Sequence, residues 1–195
     1  MKKINEIFYS LQGEGHNTGT PAIFIRFAGC NLHCSFCDTD NDHGTLMTDE
    51  DICKEVCRYP ARLVIATGGE PGLSLDDTLI YMLHNGGKKV AIETNGTQTL
   101  PATVDWVTVS PKDLYIQEAK IVLKKADEVK VVFTKRDLDY DRYLTDIKAD
   151  YYYMQPCDTD DNEQNAVIVA ETVKYIKLHP LWNLSLQMHK YINIP

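Results

Sequence analysis

Short apolar runs alternate with helical patterns along most of this chain, and this alternation limits the possible folds more than any other feature of the sequence. The apolar runs predict strands at 22–28, 62–67, 88–94, 104–109, 128–133, 150–155 and 183–188. The helical patterns predict helices at 48–59, 74–87, 115–126 and 161–179. Strands that are separated by helices of this length form right-handed βαβ crossovers, so we expect a parallel sheet.

Residues at the ends of three predicted helices are typical of helix caps. Thr48 and Ser74 each precede a helical pattern, where a hydroxyl can accept a hydrogen bond from the first turn. Gly86 or Gly87 ends the second helix, and Pro180 ends the long helix because proline cannot continue it. These signals support the predicted boundaries.

The length of the chain limits how far the sheet can close. A complete eight-stranded α/β barrel needs about 250 residues, and this chain has 195. The connection over 94–104 is also too short to contain a helix. We therefore expect an α/β fold with a partial, open parallel β/α barrel of about six strands, a truncated TIM-like barrel. We expect residues 1–195 to form a single domain.

Charge and composition exclude several classes of partner. The formal net charge is -8, so the basic surface that binds nucleic acid or an anionic membrane is not expected. No apolar run approaches the roughly 20 residues of a membrane span. The first residues, MKKINEIFYSLQGEG, do not have the apolar core of a signal peptide. We therefore expect a cytoplasmic protein that binds neither nucleic acid nor a membrane.

Polar motifs follow the predicted strands, always at the carboxyl end. CNLHCSFCDT follows the first strand, and TGGEP, ETNG and SPK follow the next three. QPCD follows a later strand, and QMHKYINIP ends the sequence. In a parallel α/β barrel these loops share one face, where active sites lie. One polar loop alone would indicate little, but together these motifs predict a single polar site.

Three cysteines lie within eight residues, at Cys30, Cys34 and Cys37. In a reducing compartment, clustered cysteines indicate a metal or redox site rather than disulfides. Three thiolates can hold three corners of a 4Fe–4S cluster and leave one iron open to a small chelating ligand. The spacing alone also allows a Cys3His zinc site with His33 or His43 as the fourth ligand. The remaining cysteines, at Cys53, Cys57 and Cys157, are expected to be packing residues.

Two motifs together resemble those of the radical S-adenosylmethionine superfamily. CNLHCSFC is similar to its cluster motif, with Phe36 before the last cysteine, and TGGEP at 67–71 resembles its GGE motif. Glycines there let the backbone approach a ligand closely, and Glu70 can accept a hydrogen bond from the ammonium group of a methionine. The resemblance implies that Cys30, Cys34 and Cys37 ligate a catalytic 4Fe–4S cluster.

A closer resemblance, to the 7-carboxy-7-deazaguanine synthase family, covers nearly the whole chain. It rests on INEIFYSLQGEG, PAIFIRFAGC, CDT, TGGEP, ETNG, VTVSPK, QP and QMHKYINIP. It implies conversion of 6-carboxy-5,6,7,8-tetrahydropterin to 7-carboxy-7-deazaguanine in 7-deazapurine biosynthesis, such as the queuosine pathway. It also implies S-adenosylmethionine and Mg²⁺ as cofactors, a reductant such as flavodoxin, and a homodimer. The alternatives are a glycyl-radical activase and a zinc-binding interaction module.

The same resemblance implies which residues bind the pterin substrate. Arg26 interrupts an apolar strand and can pair with a carboxylate, although a structural ion pair is the alternative. The GEG segment can also be a simple turn, His189 a packed core residue, and the last residue, Pro195, a frayed end rather than a carboxylate that reaches the substrate. The implied substrate-binding residues are Leu11, Gln12, Gly13, Glu14, Arg26, Thr67, His189 and Pro195.

The family resemblance also assigns residues to the cofactors. Thr39 would supply its hydroxyl to Mg²⁺, a metal that prefers oxygen ligands, and capping of the next turn is the alternative role. The sequence departs from the family pattern at two places. Asp158 occupies a position where the pattern predicts a small polar residue, and the loop after Thr39 is short. The residues implied for the S-adenosylmethionine site are Phe36, Cys37, Asp38, Gly69, Glu70, Ser110, Pro111, Lys112, Gln155, Pro156, Cys157 and Asp158.

Overall fold

A computed structural model describes residues 1–37, 39 and 43–195, and in them nine strands form one sheet. The order across the sheet is β3-β1-β2-β4-β5-β6-β7-β8-β9. The strands are β1 (Lys2–Leu11), β2 (Pro21–Phe27), β3 (Thr45–Met47), β4 (Leu63–Gly68), β5 (Lys89–Thr94), β6 (Trp106–Val109), β7 (Glu128–Phe133), β8 (Tyr151–Pro156) and β9 (Asn183–Leu184). The helices are α1 (Asp49–Val56), α2 (Asp77–Asn85), α3 (Tyr143–Asp146), α4 (Asn162–Leu178) and α5 (Met188–Ile192).

The sheet is parallel from β2 through β4 to β9, and only its first edge is antiparallel. β1 pairs antiparallel with β2, and β3 pairs antiparallel with β1. The seven other strands pair in parallel with their neighbours. The expected open, partial parallel barrel is confirmed. It has seven parallel strands where about six were expected, and the strand predicted over 183–188 is shortened to the two-residue β9 at the edge.

Helix caps agree with the sequence prediction in part. Thr48 caps α1 as predicted, since its hydroxyl accepts a hydrogen bond from the main-chain N–H of Asp51 at 3.1 Å. The predicted cap at Ser74 is wrong, because Asp76 caps α2 by accepting from the N–H of Leu79 at 3.0 Å. Ser74 instead ends a short 3-10 turn over Pro71–Leu73. The predicted helix start was therefore three residues early.

The helix predicted over 115–126 is wrong. This segment forms turns and then an extended stretch that ends in a parallel bridge between Lys125 and Lys148. Ile121 and Leu123 pack against the core, whereas Val122 between them is 47% exposed, which is the two-residue period of extended chain. The core face next to it is covered instead by α3, with Tyr143 buried.

Strand β1 was missed because polar residues interrupt its apolar pattern. Its side chains run Lys2, Ile4, Glu6 and Phe8 on alternate positions, without a clean apolar face. Lys2 is buried and paired with two aspartates of the helical layer, Asp49 at 2.7 Å and Asp76 at 2.9 Å. Burial of a paired charge is not readable from local patterning.

Two apolar clusters hold the helices to the sheet. The first lies between strands β2, β4 and β5 and helices α1 and α2, and the second lies between strands β7 and β8, helix α4 and Trp182. Each fully buried aliphatic side chain contributes about 1.5–3 kcal/mol. No helix in the described part of the chain is long and apolar enough to cross a membrane.

The concave face of the sheet is apolar only in part. Ala22, Phe24, Ile65 and Ala91 form a small cluster there. In β7, Val129 and Val131 face the outer core, while the alternate positions carry the buried Glu128 and Lys130. Charged residues on the inner face of a buried strand cost free energy unless they are paired, so this face is built for polar contacts.

Candidate active site

A cleft of about 670 Å³ opens at the carboxyl ends of the parallel strands, as expected for this architecture. It brings together residues that are up to 187 positions apart, from Phe8 to Pro195. The predicted site residues that line it are Leu11, Gln12, Gly13, Glu14, Arg26, Cys30, Cys34, Phe36, Cys37, Thr39, Thr67, Gly69, Ser110, Lys112, Gln155, Pro156, Cys157, Asp158, His189 and Pro195. Glu70 and Pro111 are buried outside the described lining, and Asp38 lies outside the described residues.

The three clustered cysteines lie together on one wall of the cleft. The main-chain N–H of Cys37 donates to the carbonyl of Cys34 at 3.2 Å, and the sulfur of Cys30 accepts from the N–H of Leu32 at 3.4 Å. Burial raises the pKa of the Cys30 and Cys34 thiols, and the neighbouring cysteines add to it. Bound iron reverses such shifts, because a coordinating thiol is deprotonated outright.

This donor set fits an iron–sulfur cluster with three protein ligands. All six cysteines lie in the described residues, and none forms a disulfide. His33 and His43, the alternative zinc ligands, are exposed and are not among the described lining residues. In the described chain, no three His, Cys, Asp or Glu side chains are close enough to hold a single metal ion. Three cysteines that line one cleft are the donor set that can hold three corners of a 4Fe–4S cluster and leave the fourth open.

The GGE segment is locked to the cluster loop through its backbone. Gly68 has a φ of +105°, and a β-carbon there would lie 2.4 Å from the carbonyl oxygen of Phe27. The N–H of Gly69 donates to that same oxygen at 2.8 Å, and the N–H of Glu70 donates to the carbonyl of Gly29 at 2.9 Å. Only glycine permits this approach, which places Gly69 in the cleft beside the cysteine loop.

The Glu70 side chain braces the loops rather than lining the cleft. It is 1% exposed and accepts hydrogen bonds from Thr94 Oγ1 at 2.7 Å, the N–H of Asn95 at 2.7 Å and the N–H of Gly72 at 2.8 Å. Burial raises its pKa in spite of these three donors. Acceptance of an ammonium by Glu70 stays a prediction, and this geometry favours the bracing role.

Glu14, Glu93 and Lys130 form a charged group in the cleft, which we call its floor, and the sequence pattern did not single out Lys130. Lys130 Nζ lies 2.5 Å from Glu14 Oε2 and 3.4 Å from Glu93 Oε1. Gln12 Nε2 also donates to Glu93 Oε1, at 2.8 Å. Glu93 and Lys130 both interrupt apolar strands on the inward side, and for Lys130 this interruption is the sequence signal that could have identified it.

The charges on this floor shift one another. Burial opposes ionisation of Glu14, but Lys130 outweighs it and lowers the pKa of Glu14 to about 2. Burial likewise opposes the charge of Lys130, yet the surrounding carboxylates raise its pKa. Burial raises the pKa of Glu128 to about 7, and Lys130 and the N–H of His16 only partly offset this. Glu14 and Lys130 therefore form an ion pair at neutral pH.

The two ends of the chain meet at the cleft. The N–H of Met188 donates to the carbonyl of Gly13 at 2.9 Å, and Gln187 Nε2 donates to Glu14 Oε1 at 3.1 Å. The Ser10 hydroxyl donates to a main-chain oxygen of Pro195 at 2.8 Å. These contacts place α5 and the last residue against the end of β1, so that the predicted residues at both ends face the same space.

Arg26 lies at the cleft and also forms an ion pair. Its Nε donates to Glu6 Oε1 at 2.9 Å, and its guanidinium carbon lies 5.5 Å from the centre of the Phe8 ring. The structural ion pair weighed in the sequence analysis is therefore present. A guanidinium has five N–H donors, so the same group can also bind a carboxylate.

The remaining cofactor candidates are fixed by short polar contacts. Lys112 Nζ donates to the carbonyl and hydroxyl of Ser110, both at 2.6 Å, and burial lowers its pKa. Asp158 accepts from Lys190 of α5 and from Asn165 Nδ2 at 2.6 Å. The bond from Lys190 is the largest cause that lowers the pKa of Asp158 to about 2. The unexpected aspartate thus joins the β8 loop to both following helices.

Comparisons with known proteins agree with this site. The model of the radical SAM superfamily matches residues 24–135. The 7-carboxy-7-deazaguanine synthase of Bacteroides thetaiotaomicron is 54% identical over 194 residues, covering 100% of this chain and 99% of that protein. The enzyme of the same name from Caulobacter vibrioides is 40% identical, covering 98% of each chain. The crystal structure of QueE from Escherichia coli matches with a TM-score of 0.75 and 31% identity, covering 96% of this chain and 94% of that chain.

The match to the Bacteroides enzyme covers 100% of this chain, and so includes both the cysteine loop and the final segment beside the cleft. They account for the open parallel barrel as well as for the three-cysteine motif. The chain therefore belongs to the 7-carboxy-7-deazaguanine synthase family of the radical SAM superfamily.

Proposed function

We propose that this protein converts 6-carboxy-5,6,7,8-tetrahydropterin to 7-carboxy-7-deazaguanine, with ring contraction and loss of ammonia. One observation carries the proposal. The family's three cysteines share a cleft with an arginine suited to a carboxylate and with a floor of acceptors suited to ring N–H groups. The substrate contains both chemical features, a carboxylate and a pterin ring.

The cofactor positions follow from the donor set. Cys30, Cys34 and Cys37 would hold the 4Fe–4S cluster, and the hydroxyl of Thr39 would be the protein's oxygen ligand to Mg²⁺. When bound, the cluster and S-adenosylmethionine supply the radical chemistry that removes a substrate hydrogen atom. S-adenosylmethionine would lie along Gly69, Ser110, Lys112 and the segment 155–158, all of which line the cleft.

The protein's own contribution is to bind, orient and shield the pterin. Arg26 would pair with the substrate carboxylate, and Gln12 and Glu14 would contact the amide-like and amine-like edge of the ring. The α5 segment, with His189 and Pro195, covers the side next to Gly13. Such positioning on several rigid strands limits the side reactions of a reactive intermediate by excluding water.

Further parts of the proposal concern partners and location. The reaction needs an electron donor, for which a flavodoxin is suitable. We propose that the enzyme acts in the cytoplasm, where thiols stay reduced. We also propose that it is a homodimer. We treat residues 1–195 as one domain, which is supported by the single sheet that includes all nine described strands. Native mass spectrometry of the purified holoenzyme tests the dimer.

Anaerobic turnover tests the function. The reconstituted protein is incubated with S-adenosylmethionine, reductant, Mg²⁺ and 6-carboxytetrahydropterin, and the products are identified by mass. The expected products are 7-carboxy-7-deazaguanine and ammonia. A variant with Cys34→Ser serves as the control that loses the cluster but keeps the rest of the cleft. A cluster-containing wild-type protein that leaves the pterin unchanged contradicts the proposal and favours an activase. A colourless protein that contains zinc favours a binding module.

A further inference from the structure

The buried Lys130 is the central cation of the cleft floor. It is 5% exposed and lies on the inward side of β7, where it lines the cleft. A buried ammonium without partners costs several kcal/mol, so its contacts decide its role. It meets Glu14 from the loop after β1 at 2.5 Å and Glu93 of β5 at 3.4 Å.

Both carboxylates reach the cleft, and side-chain amides orient them further. Gln187 donates to Glu14 Oε1, and Gln12 donates to Glu93 Oε1. With one ammonium and two carboxylates, the trio has a net charge of -1. Other titratable groups that act on it are Glu128 of β7, Lys112 after β6 and His189 of α5. This floor attracts N–H donors and repels a carboxylate.

We propose that Lys130 is a positioning residue that holds Glu14 and Glu93 as a pair of ionised acceptors for the ring N–H groups of the substrate. The ligand class rests on the proposed function, since the pterin ring carries adjacent N–H donors. Without the ammonium, two carboxylates in a buried cleft repel each other, and one of them takes up a proton. A protonated carboxyl loses acceptor capacity, and its binding to an N–H donor weakens.

The chain offers a matched control in Lys88. Its side chain is also buried, at 9% exposure, and its Nζ donates to the carbonyls of Tyr59 and Ala61, both at 2.7 Å. It is not among the described residues that line the cleft. Lys88→Met therefore removes a buried lysine without altering the acceptors on the floor. Lys130→Arg keeps the positive charge, and Lys130→Gln keeps hydrogen bonding but removes the charge.

The experiment measures binding without turnover. Isothermal titration calorimetry gives the dissociation constant of 6-carboxytetrahydropterin for the holoprotein with S-adenosylmethionine, in the absence of reductant, at pH 6 to 9. Two buffers of different ionisation enthalpy report protons released on binding. For Lys130→Met and Lys130→Gln we expect binding weaker by about 10- to 100-fold near pH 7, the range for a charged hydrogen-bonding partner. We also expect affinity that improves as pH rises and release of up to about one proton.

Wild type, Lys88→Met and Lys130→Arg should bind the pterin with little pH dependence. In these proteins, binding should release no proton from Glu14 or Glu93. Affinity for S-adenosylmethionine should be the same in all variants. The positioning role is refuted if Lys130→Gln binds the pterin with the affinity of wild type. It is also refuted if Lys130→Gln loses affinity without pH dependence and to the same extent as Lys88→Met. If wild type itself fails to bind and convert the pterin, the proposed function fails instead. Circular dichroism confirms that each variant is folded before titration.

Discussion

The main-chain N–H of Asn95 donates to the Glu70 carboxylate at 2.7 Å, which fastens the loop after β5 to the loop after β4. The side chain of Asn95 then reaches Asn31 Oδ1 at 3.0 Å and lies 3.9 Å from the sulfur of Cys30. A continuous series of polar contacts, which we call the brace, thus runs from the GGE segment to the first cysteine. The loops that would hold the cofactors are therefore fixed to one another before any ligand binds.

Removal of this brace should destabilise the fold. Glu70→Ala leaves the buried donors of Thr94 and Asn95 and the half-buried N–H of Gly72 without their acceptor. We expect a loss of about 2–4 kcal/mol in the free energy of unfolding. Anaerobic urea titration followed by circular dichroism measures it, with the exposed Glu118→Ala as the control that should change little. Equal stability of the two variants would contradict the bracing role.

Gly68 should tolerate no side chain. Its φ of +105° disfavours other residues, and a β-carbon would also lie 2.4 Å from the Phe27 oxygen. Gly87 has a φ of +75° but open space around it, so Gly87→Ala isolates the cost of backbone strain, about 1 kcal/mol. We expect Gly68→Ala to cost at least about 2 kcal/mol more, because backbone must move. Thermal unfolding of both variants measures the difference, and similar melting temperatures would argue against the close contact.

The apolar strands could be predicted from the sequence, because their side chains face a core whose only requirement is apolar burial. Strand β2 and helix α1 with its Thr48 cap are cases of this kind. The same reasoning predicted a helix over 115–126, which is wrong. Its apolar residues fit a helical period, but tertiary contacts hold the second half of the segment extended. Local propensity is a weak guide where the neighbouring strands decide the conformation.

The location of a residue in the cleft was predictable where a motif named that residue, but not where only its contacts in space bring it there. The cysteines, Gly69 and Glu93 of ETNG belong to the first group. Lys130 belongs to the second, because its meeting with Glu93 depends on the separation of β5 and β7 across the inner face. The pairing of Asp158 with Lys190 of the last helix was likewise not predictable. Residues far apart in sequence carry no mutual signal in a single chain.

Glu128 should make the protein less stable as the pH rises through the neutral range. Its pKa is about 7 in the folded chain, above the 4.5 of an ordinary glutamate, so the folded state binds the extra proton in that window. Stability from this group is therefore fully present below about pH 4.5 and is lost as the pH rises from there through about 7, by up to about 3 kcal/mol. The unfolding free energy of wild type and Glu128→Gln at pH 5.5 and 8 measures it. A variant with the same pH dependence as wild type would contradict the assignment.

Arg26 should affect substrate affinity more than its ion-pair partner does. If Arg26 binds the substrate carboxylate, Arg26→Gln raises KM for the pterin by about 10- to 100-fold, the value of a charged hydrogen-bonded pair. Glu6→Gln removes only the structural pair at 2.9 Å and should leave KM nearly unchanged. Steady-state kinetics under anaerobic conditions separates the two. Equal effects of both substitutions would assign Arg26 to the ion pair alone.

The central claim is that three thiolates hold a cluster whose open iron faces the cleft. Its most direct measurement is the electron paramagnetic resonance spectrum of the reduced protein, with and without S-adenosylmethionine labelled with ¹⁵N at its amino group. A variant in which Cys53 and Cys57, which lie outside the described cleft lining, are both alanine is measured beside wild type. Iron analysis should give about four irons per chain in both proteins, and we expect a ¹⁵N coupling that shows direct ligation. Loss of the cluster in the double variant, or a spectrum that S-adenosylmethionine leaves unchanged, would contradict the account.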